Sequence, residues 1–231
     1  MSPLLSLLFA GSLLAADADT PASLRYLRPD ADRYVLESEV TTTARSKGTT
    51  YVSRTTHGEE TMTLTLHLDD KGMVRGAEAV LEKGKASSKA VLDLRGGKAS
   101  LKRGDKTDLF EVPKDPMVTT APDWSDIFTL VRRYDARKGG KQQFAGLWIH
   151  PTKPRLLLTF TIERTGRDKV TVKDKIVELT RYRVYLRSGE YLVWARADGT
   201  VCKLIAKGAK AVPVVLEGYE EATRNLGRTK P

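Results

Sequence analysis

The stretch YLVWARADGTVCKL, Tyr191–Leu204, sets two runs of alternating hydrophobicity on either side of Asp198-Gly199. Such a dipeptide between such runs is a strong hairpin signal, because both centres of a type I′ turn need φ > 0, which Asp tolerates and Gly prefers. Taken as a two-residue loop, it pairs Ala197 with Thr200, Ala195 with Cys202 and Val193 with Leu204. Side chains alternate along a strand, so Tyr191, Val193, Ala195, Cys202, Leu204 and Ala206 share one apolar face. Trp194 and Lys203 then face each other on the opposite side, the lysine stem lying along the indole. Cys202 is the only cysteine of the chain. Its face carries no His, Lys or Arg that would lower its pKa, so it reads as a buried, structural thiol.

The same period of two extends outward from this hairpin. TMTLTLHL (61–68) sets Met62, Leu64, Leu66 and Leu68 against Thr61, Thr63, Thr65 and His67. RLLLTFTIER (155–164) turns Leu156, Leu158, Phe160 and Ile162 inward. These are half-buried antiparallel strands. RYVLESEV, TTYVSRTT, MVRGAEAVL, KAVLDL, DLFEV, QQFAGLWIH, KVTVKD, KIVELTRYRVYL and PVVLEGYEEA read as further strands. Turn residues separate them at Lys47-Gly48, His57-Gly58, Lys71-Gly72, Gly96-Gly97, Gly104-Asp105, Thr165-Gly166 and Ser188-Gly189. Spacing this short favours hairpins over crossovers. The expectation is a mainly β chain of roughly a dozen antiparallel strands in a curved sheet.

One segment breaks the rhythm. APDWSDIFTLVRRYDARKGG (121–140) repeats Trp124, Phe128, Val131 and Tyr134 at helical spacing, flanked by Ile127 and Leu130. Asp123 or Ser125 can cap its start and Gly139 can stop it. Asp126 near the start and Arg137 and Lys138 near the end complement the macrodipole. One amphipathic helix over about 123–138 follows, with the proline-rich stretch 112–122 as a linker before it. A concave apolar sheet face needs cover, and a helix carrying Trp and Phe supplies it. Trp124, Phe128, Val131, Leu158, Phe160 and Val193 are therefore the candidate lining of a site for an apolar ligand.

The chain opens MSPLLSLLFAGSLLAADADT. An apolar run, Leu4 to Ala15, precedes Ala16-Asp17-Ala18, a small-x-small cleavage pattern, and is too short to span a bilayer. Residues 1–18 read as a signal peptide cut near Ala18, leaving 19–231 as a single β domain in the periplasm or secreted. An N-terminal strand is the alternative. A lone cysteine forms no internal disulfide, so the core must hold the fold by itself.

The 231 residues carry 39 Lys and Arg against 29 Asp and Glu, a net charge of +10. Behind an export signal, the available polyanions are lipid headgroups, lipopolysaccharide and acidic glycans rather than nucleic acid. Both signs are interspersed, which also suits a plain solvated surface. Arg181, Arg183 and Arg187 fall on one face of their strand with Tyr185 between them. That stripe is the candidate contact for anionic headgroups; the other reading is an outer face whose charges block edge pairing. The chain would meet a membrane peripherally.

The helix followed by strands, ending in YLVWARADGTVCKL and PVVLEGYEEAT, resembles the half-barrel fold of bacterial lipoprotein carriers and related periplasmic families of unknown function. The resemblance covers residues 120–223. It implies a sheet curled around the helix, an apolar ligand (a lipid, an acyl chain or a lipoprotein) in the concavity, and no catalytic residues.

Motif chemistry points the same way. His57 stands at a Gly turn, His67 on a polar strand face and His150 before Pro151, and each reads as an ordinary surface or loop histidine. Metal ligation needs clustered ligands, and no metal or other cofactor is expected. No His-Glu-x-x-His, Cys-x-x-Cys, Gly-x-Ser-x-Gly or phosphate-loop pattern occurs. Glu59-Glu60, Asp69-Asp70 and Glu220-Glu221 sit beside turns or near the chain end. Three functions stay open: a non-enzymatic carrier, an envelope module with a filled core, and a hydrolase of envelope glycan or lipid.

Overall fold

The computed structural model describes residues 22–31, 33–45, 48–120, 124–208 and 212–227. The expected signal peptide, residues 1–18, and its cleavage site lie outside them. Eight strands come first: β1 (Ala22–Asp30), β2 (Arg33–Arg45), β3 (Gly48–His57), β4 (Glu60–Leu68), β5 (Val74–Lys83), β6 (Ala86–Arg95), β7 (Lys98–Arg103) and β8 (Lys106–Glu111). A crossover holds β9 (Met117–Thr119) and the helix α1 (Ser125–Arg133). Then follow β10 (Lys141–Trp148), β11 (Leu156–Val172), β12 (Lys175–Leu186), β13 (Gly189–Ala195), β14 (Val201–Ala206) and β15 (Val214–Leu216).

All fifteen strands form one unclosed sheet, rather than the dozen expected, in the order β8 to β1, then β15 to β9. Sequential strands pair as antiparallel hairpins, as the short turn spacing required. Two joins break that rule. The three-residue β15 stitches the halves together, pairing Tyr26 with Leu216 and Lys203 with Val215. Strand β9 lies parallel to β10, Met117 beside Gly146. Of the expected linker 112–122, the described part to Thr120 is thus not free: Met117, Val118, Thr119 and Thr120 are buried.

The sheet bends strongly. Arg103 on β7 donates to the Lys153 carbonyl at 2.6 Å, and the Arg155 guanidinium lies 3.8 Å over the Phe110 ring on β8. Strands stack about 4.8 Å apart, so a flat sheet would hold those partners roughly 60 Å from each other. Curvature brings both ends of the sheet around one core.

Alternation survives where the sequence shows it most cleanly. Met62, Leu64 and Leu66 are buried while His67 is exposed. Elsewhere local chemistry departs from the expected turns. Thr165-Gly166 is no turn: β11 runs straight through it, with a register shift between Arg164 and Gly166. That bulge leaves room for Arg181, whose Nη2 would stand 2.9 Å from any Cβ at Gly166. The reversal comes at Lys173-Asp174, where φ is +47° and +64°, a type I′ loop.

The Asp198 turn is also longer than a two-residue loop. Gly199 N–H donates to the Arg196 carbonyl and Arg196 N–H to the Thr200 carbonyl, and of Asp198 and Gly199 only Gly199 has positive φ, at +79°. A bulge after Trp194 pairs Ala195 with Val201 instead of Cys202, while Val193 still faces Leu204. The cause lies in side chains: Asp198 accepts from Thr200 N–H and pairs with Arg196. Gly199 also abuts Arg132 of α1, which would stand 2.9 Å from an added Cβ.

Helix α1 spans nine residues, not 123–138. It starts after Trp124 without a side-chain cap, Ser125 lies inside it, and Asp123 is outside the described residues. It stops because Tyr134 is extended and Asp135 engages elsewhere: Gln142 accepts from Asp135 N–H and donates to the Asp135 and Gly139 carbonyls. Side chains offering backbone groups an alternative partner end helices in this way. Ser125, Asp126, Ile127, Phe128, Leu130 and Val131 are all buried, so α1 is packed as core.

Candidate ligand-binding cavity

At the N-terminal end of α1 the bent sheet encloses a cavity of about 840 Å3. Small-molecule sites span roughly 300–1,000 Å3. Phe160 and Leu158 from β11, Trp148 from β10, Tyr191 from β13 and Val214 from β15 form apolar walls, and Trp124 closes one side. Trp124 meets Tyr191 edge-on at 6.0 Å between ring centroids. Phe160 and Val214 are buried, whereas Leu156 and Val212 stand 36% and 48% exposed, so the cavity opens past an apolar rim.

A local irregularity places the first charged wall group. Across β1 and β2, Tyr26 pairs with Ser38 but Leu27 with Leu36, leaving Glu37 bulged out of register. A bulge re-aims a side chain: Leu36 becomes exposed and Glu37 turns inward, 6% exposed. There its carboxylate pairs with Arg28 at 3.0 Å. Asp126, also in the wall, accepts the N–H of Ile127 at 2.7 Å. His57, Arg187 and Ser188 stand exposed in the lining, and Ser188 Oγ lies 3.0 Å from the Tyr191 hydroxyl. Among the described residues Arg187 has no ion-pair partner. Two wall residues hold shielded polar atoms, Thr120 Oγ1 and Trp124 Nε1, that lack hydrogen-bond partners among the described residues. An unpaired buried group of this kind costs about 1–3 kcal/mol.

Of the expected apolar site, Trp124, Leu158 and Phe160 line the cavity; Phe128, Val131 and Val193 do not. Phe128 stacks on Tyr26 at 4.4 Å, Val131 is 4% exposed and Val193 is fully buried. Core surrounds the helix on most sides, so that only its start reaches the cavity, and Val193 on β13 packs inside that same core. Arg181, Arg183 and Arg187 likewise separate. Arg181 pairs with Asp168 at 3.4 Å and Arg183 with Glu190 at 3.1 Å. Arg187 lies past the end of β12, at the cavity. Sequence reasoning missed Arg28, Glu37 and Trp148. Only tertiary bending gathers these, and the Glu37 bulge breaks the alternation that would have announced it.

Cys202 is fully buried, and its thiol points at the Thr200 carbonyl at 3.7 Å. Burial pushes its pKa up to about 12. Contrary to the expected bare face, Arg196 stands near enough to oppose that rise, but desolvation dominates. His150 is no surface histidine: it is 4% exposed, stacks on Trp148 at 5.3 Å and accepts the N–H of Thr152 at 3.1 Å. Burial, aided by Lys153, holds its pKa below the usual imidazole value. Among the described residues no three His, Cys, Asp or Glu side chains gather as a metal site, and no helix is long and apolar enough to cross a membrane.

No family model and no curated protein matches the chain. Among solved structures it is similar to a DUF1089 family protein from Pseudomonas aeruginosa, at 15% identity and a TM-score of 0.48, over 75% of this chain and 91% of that one.

Proposed function

We propose that this chain is an exported, non-enzymatic binding protein that holds an apolar or lipid-like ligand, such as an acyl chain, inside a half-barrel sheet. The observation that carries the reading is the 840 Å3 cavity, whose walls are largely apolar and whose exposed lining includes Leu156 and Val212 as well as Arg187 and Ser188. Each buried CH2 of a ligand contributes about 0.8 kcal/mol, enough for micromolar binding by one chain. A packed envelope module would leave no such space. The half-barrel curvature and the likeness to lipoprotein carriers belong to the same proposal, as does residence in the periplasm or outside the cell.

Lipid extraction and mass spectrometry of the purified protein test it. The expected result is a co-purifying acyl compound whose yield falls in Leu158→Trp, whose larger indole narrows the cavity. Absence of any bound lipid, together with no thermal shift on adding fatty acids or lipoproteins, sinks the proposal.

One observation favours a second reading. Glu37, Asp126 and His57 line the same cavity, and convergent titratable groups are what a hydrolase needs. Release of p-nitrophenol from p-nitrophenyl acyl esters, abolished by Glu37→Gln, would move the assignment there.

A further inference from the structure

We propose that the ligand is an anionic amphiphile that enters tail first, its carboxylate or phosphate headgroup held at the mouth by Arg187. This rests on the binding reading above and assigns the ligand's polarity and orientation. Three observations carry it. The deep wall is apolar at Phe160 and Val214, whereas Arg187 and Ser188 stand exposed. Neighbouring charges are already engaged: Glu37 by Arg28, and Glu190 by Arg183 and Lys207. Arg187 alone among these cations pairs with no acid among the described residues.

Arg187 also joins two spaces. With Leu158 and Leu186 it lines both the cavity and a shallower depression of about 580 Å3, whose other walls include Gln143, Thr159 and Tyr185. The Lys141 ammonium lies 4.9 Å over the Tyr185 ring, adding a second positive charge beside that shelf. Greasy space on one side of Arg187 and a cationic, hydrogen-bonding shelf on the other match the two halves of an amphiphile. A guanidinium binds a carboxylate or phosphate through paired N–H donors, which an ester cannot reproduce in kind.

Quenching of the cavity tryptophans by hexadecanoate, hexadecyl phosphate and methyl hexadecanoate tests this in the full-length protein. The expected result is binding of an anionic probe roughly tenfold tighter than the ester at low salt, a gap that narrows as salt rises. Arg187→Gln should erase the gap by lowering the affinity of the anionic probes towards that of the ester; Arg187→Lys should restore most of it. Whichever anion binds tighter identifies the headgroup. Equal binding of acid and ester, or a preference surviving in Arg187→Gln with an unchanged melting temperature, overturns the inference and leaves the binding reading intact. Failure of all three probes overturns both.

Discussion

The ammonium of Lys203 donates to the carbonyl of Thr223 at 2.7 Å, and to that of Leu226 at the same distance. Lys203 is 3% exposed, and its charge lies 5.8 Å from the centre of the Trp194 ring. The pair does lie together across the hairpin, as the alternation requires, but not in solvent. Turns over 217–227 fold back across it, Trp194 Nε1 donating to Asp168 at 2.8 Å. Lys203→Met should therefore release those carbonyls and cost about 3 kcal/mol or more. Urea unfolding reads the loss, and limited proteolysis should cut first within 217–227.

Phe160 covers Gly146 so closely that a Cβ there would run into its ring. Gly146→Ala should cost about 1–3 kcal/mol by overpacking and shift Phe160 in the cavity wall. Calorimetry checks the stability, and weaker acyl-probe binding checks the wall.

Thr120 offers the opposite case. Its hydroxyl is shielded and unpaired among the described residues, so Thr120→Val should raise stability by about 1 kcal/mol. A melting temperature unchanged or lowered would show that the hydroxyl is satisfied.

The Cys202 thiol has a folded pKa of about 12, against about 8.5 when unfolded. Below 8.5 both states keep the proton, and the thiol adds no pH dependence. Above it the unfolded chain ionises first, so stability falls as pH climbs towards 12. Burial raises Tyr26 likewise, which steepens the alkaline loss. Cys202→Ala should flatten the stability profile above pH 8.5, and the native thiol should resist Ellman's reagent until the protein unfolds.

His150 acts at the other end of the scale. Its folded pKa lies below the ordinary value, so the unfolded chain takes up a proton first as pH falls through about 6.5. Stability should be full above that pH and decline beneath it. His150→Gln should remove this part of the acid slope in denaturation series between pH 7 and 5.

Legibility followed the physics of each element. Met62, Leu64 and Leu66 announced their strand because one face of it is core and the other is wet, and period two records that contrast directly. The helix was visible in Phe128 and Val131, but not its end: Gln142, arriving from β10, takes the Asp135 backbone and stops the turn. Thr165-Gly166 carried turn residues yet forms a bulge, because Arg181 across the ladder occupies the room that glycine leaves. Trp124, Leu158 and Phe160 were legible as cavity residues through their apolar stripes. Arg28, Glu37 and Trp148 were not, since nothing in their local pattern says which distant strand will face them.

By itself, then, the sequence determined a mainly β chain of hairpins, one helix among the described residues and a buried cysteine, because alternation, turn chemistry and burial are local properties of neighbouring residues. Tertiary structure alone decided that β15 stitches the two halves and that the sheet bends until β7 and β8 meet the loop after β10. It also decided that Arg187 stands at a cavity mouth while Arg181 and Arg183 are paired away. Those outcomes depend on which strands meet at long range, and a residue's own neighbours carry no record of that.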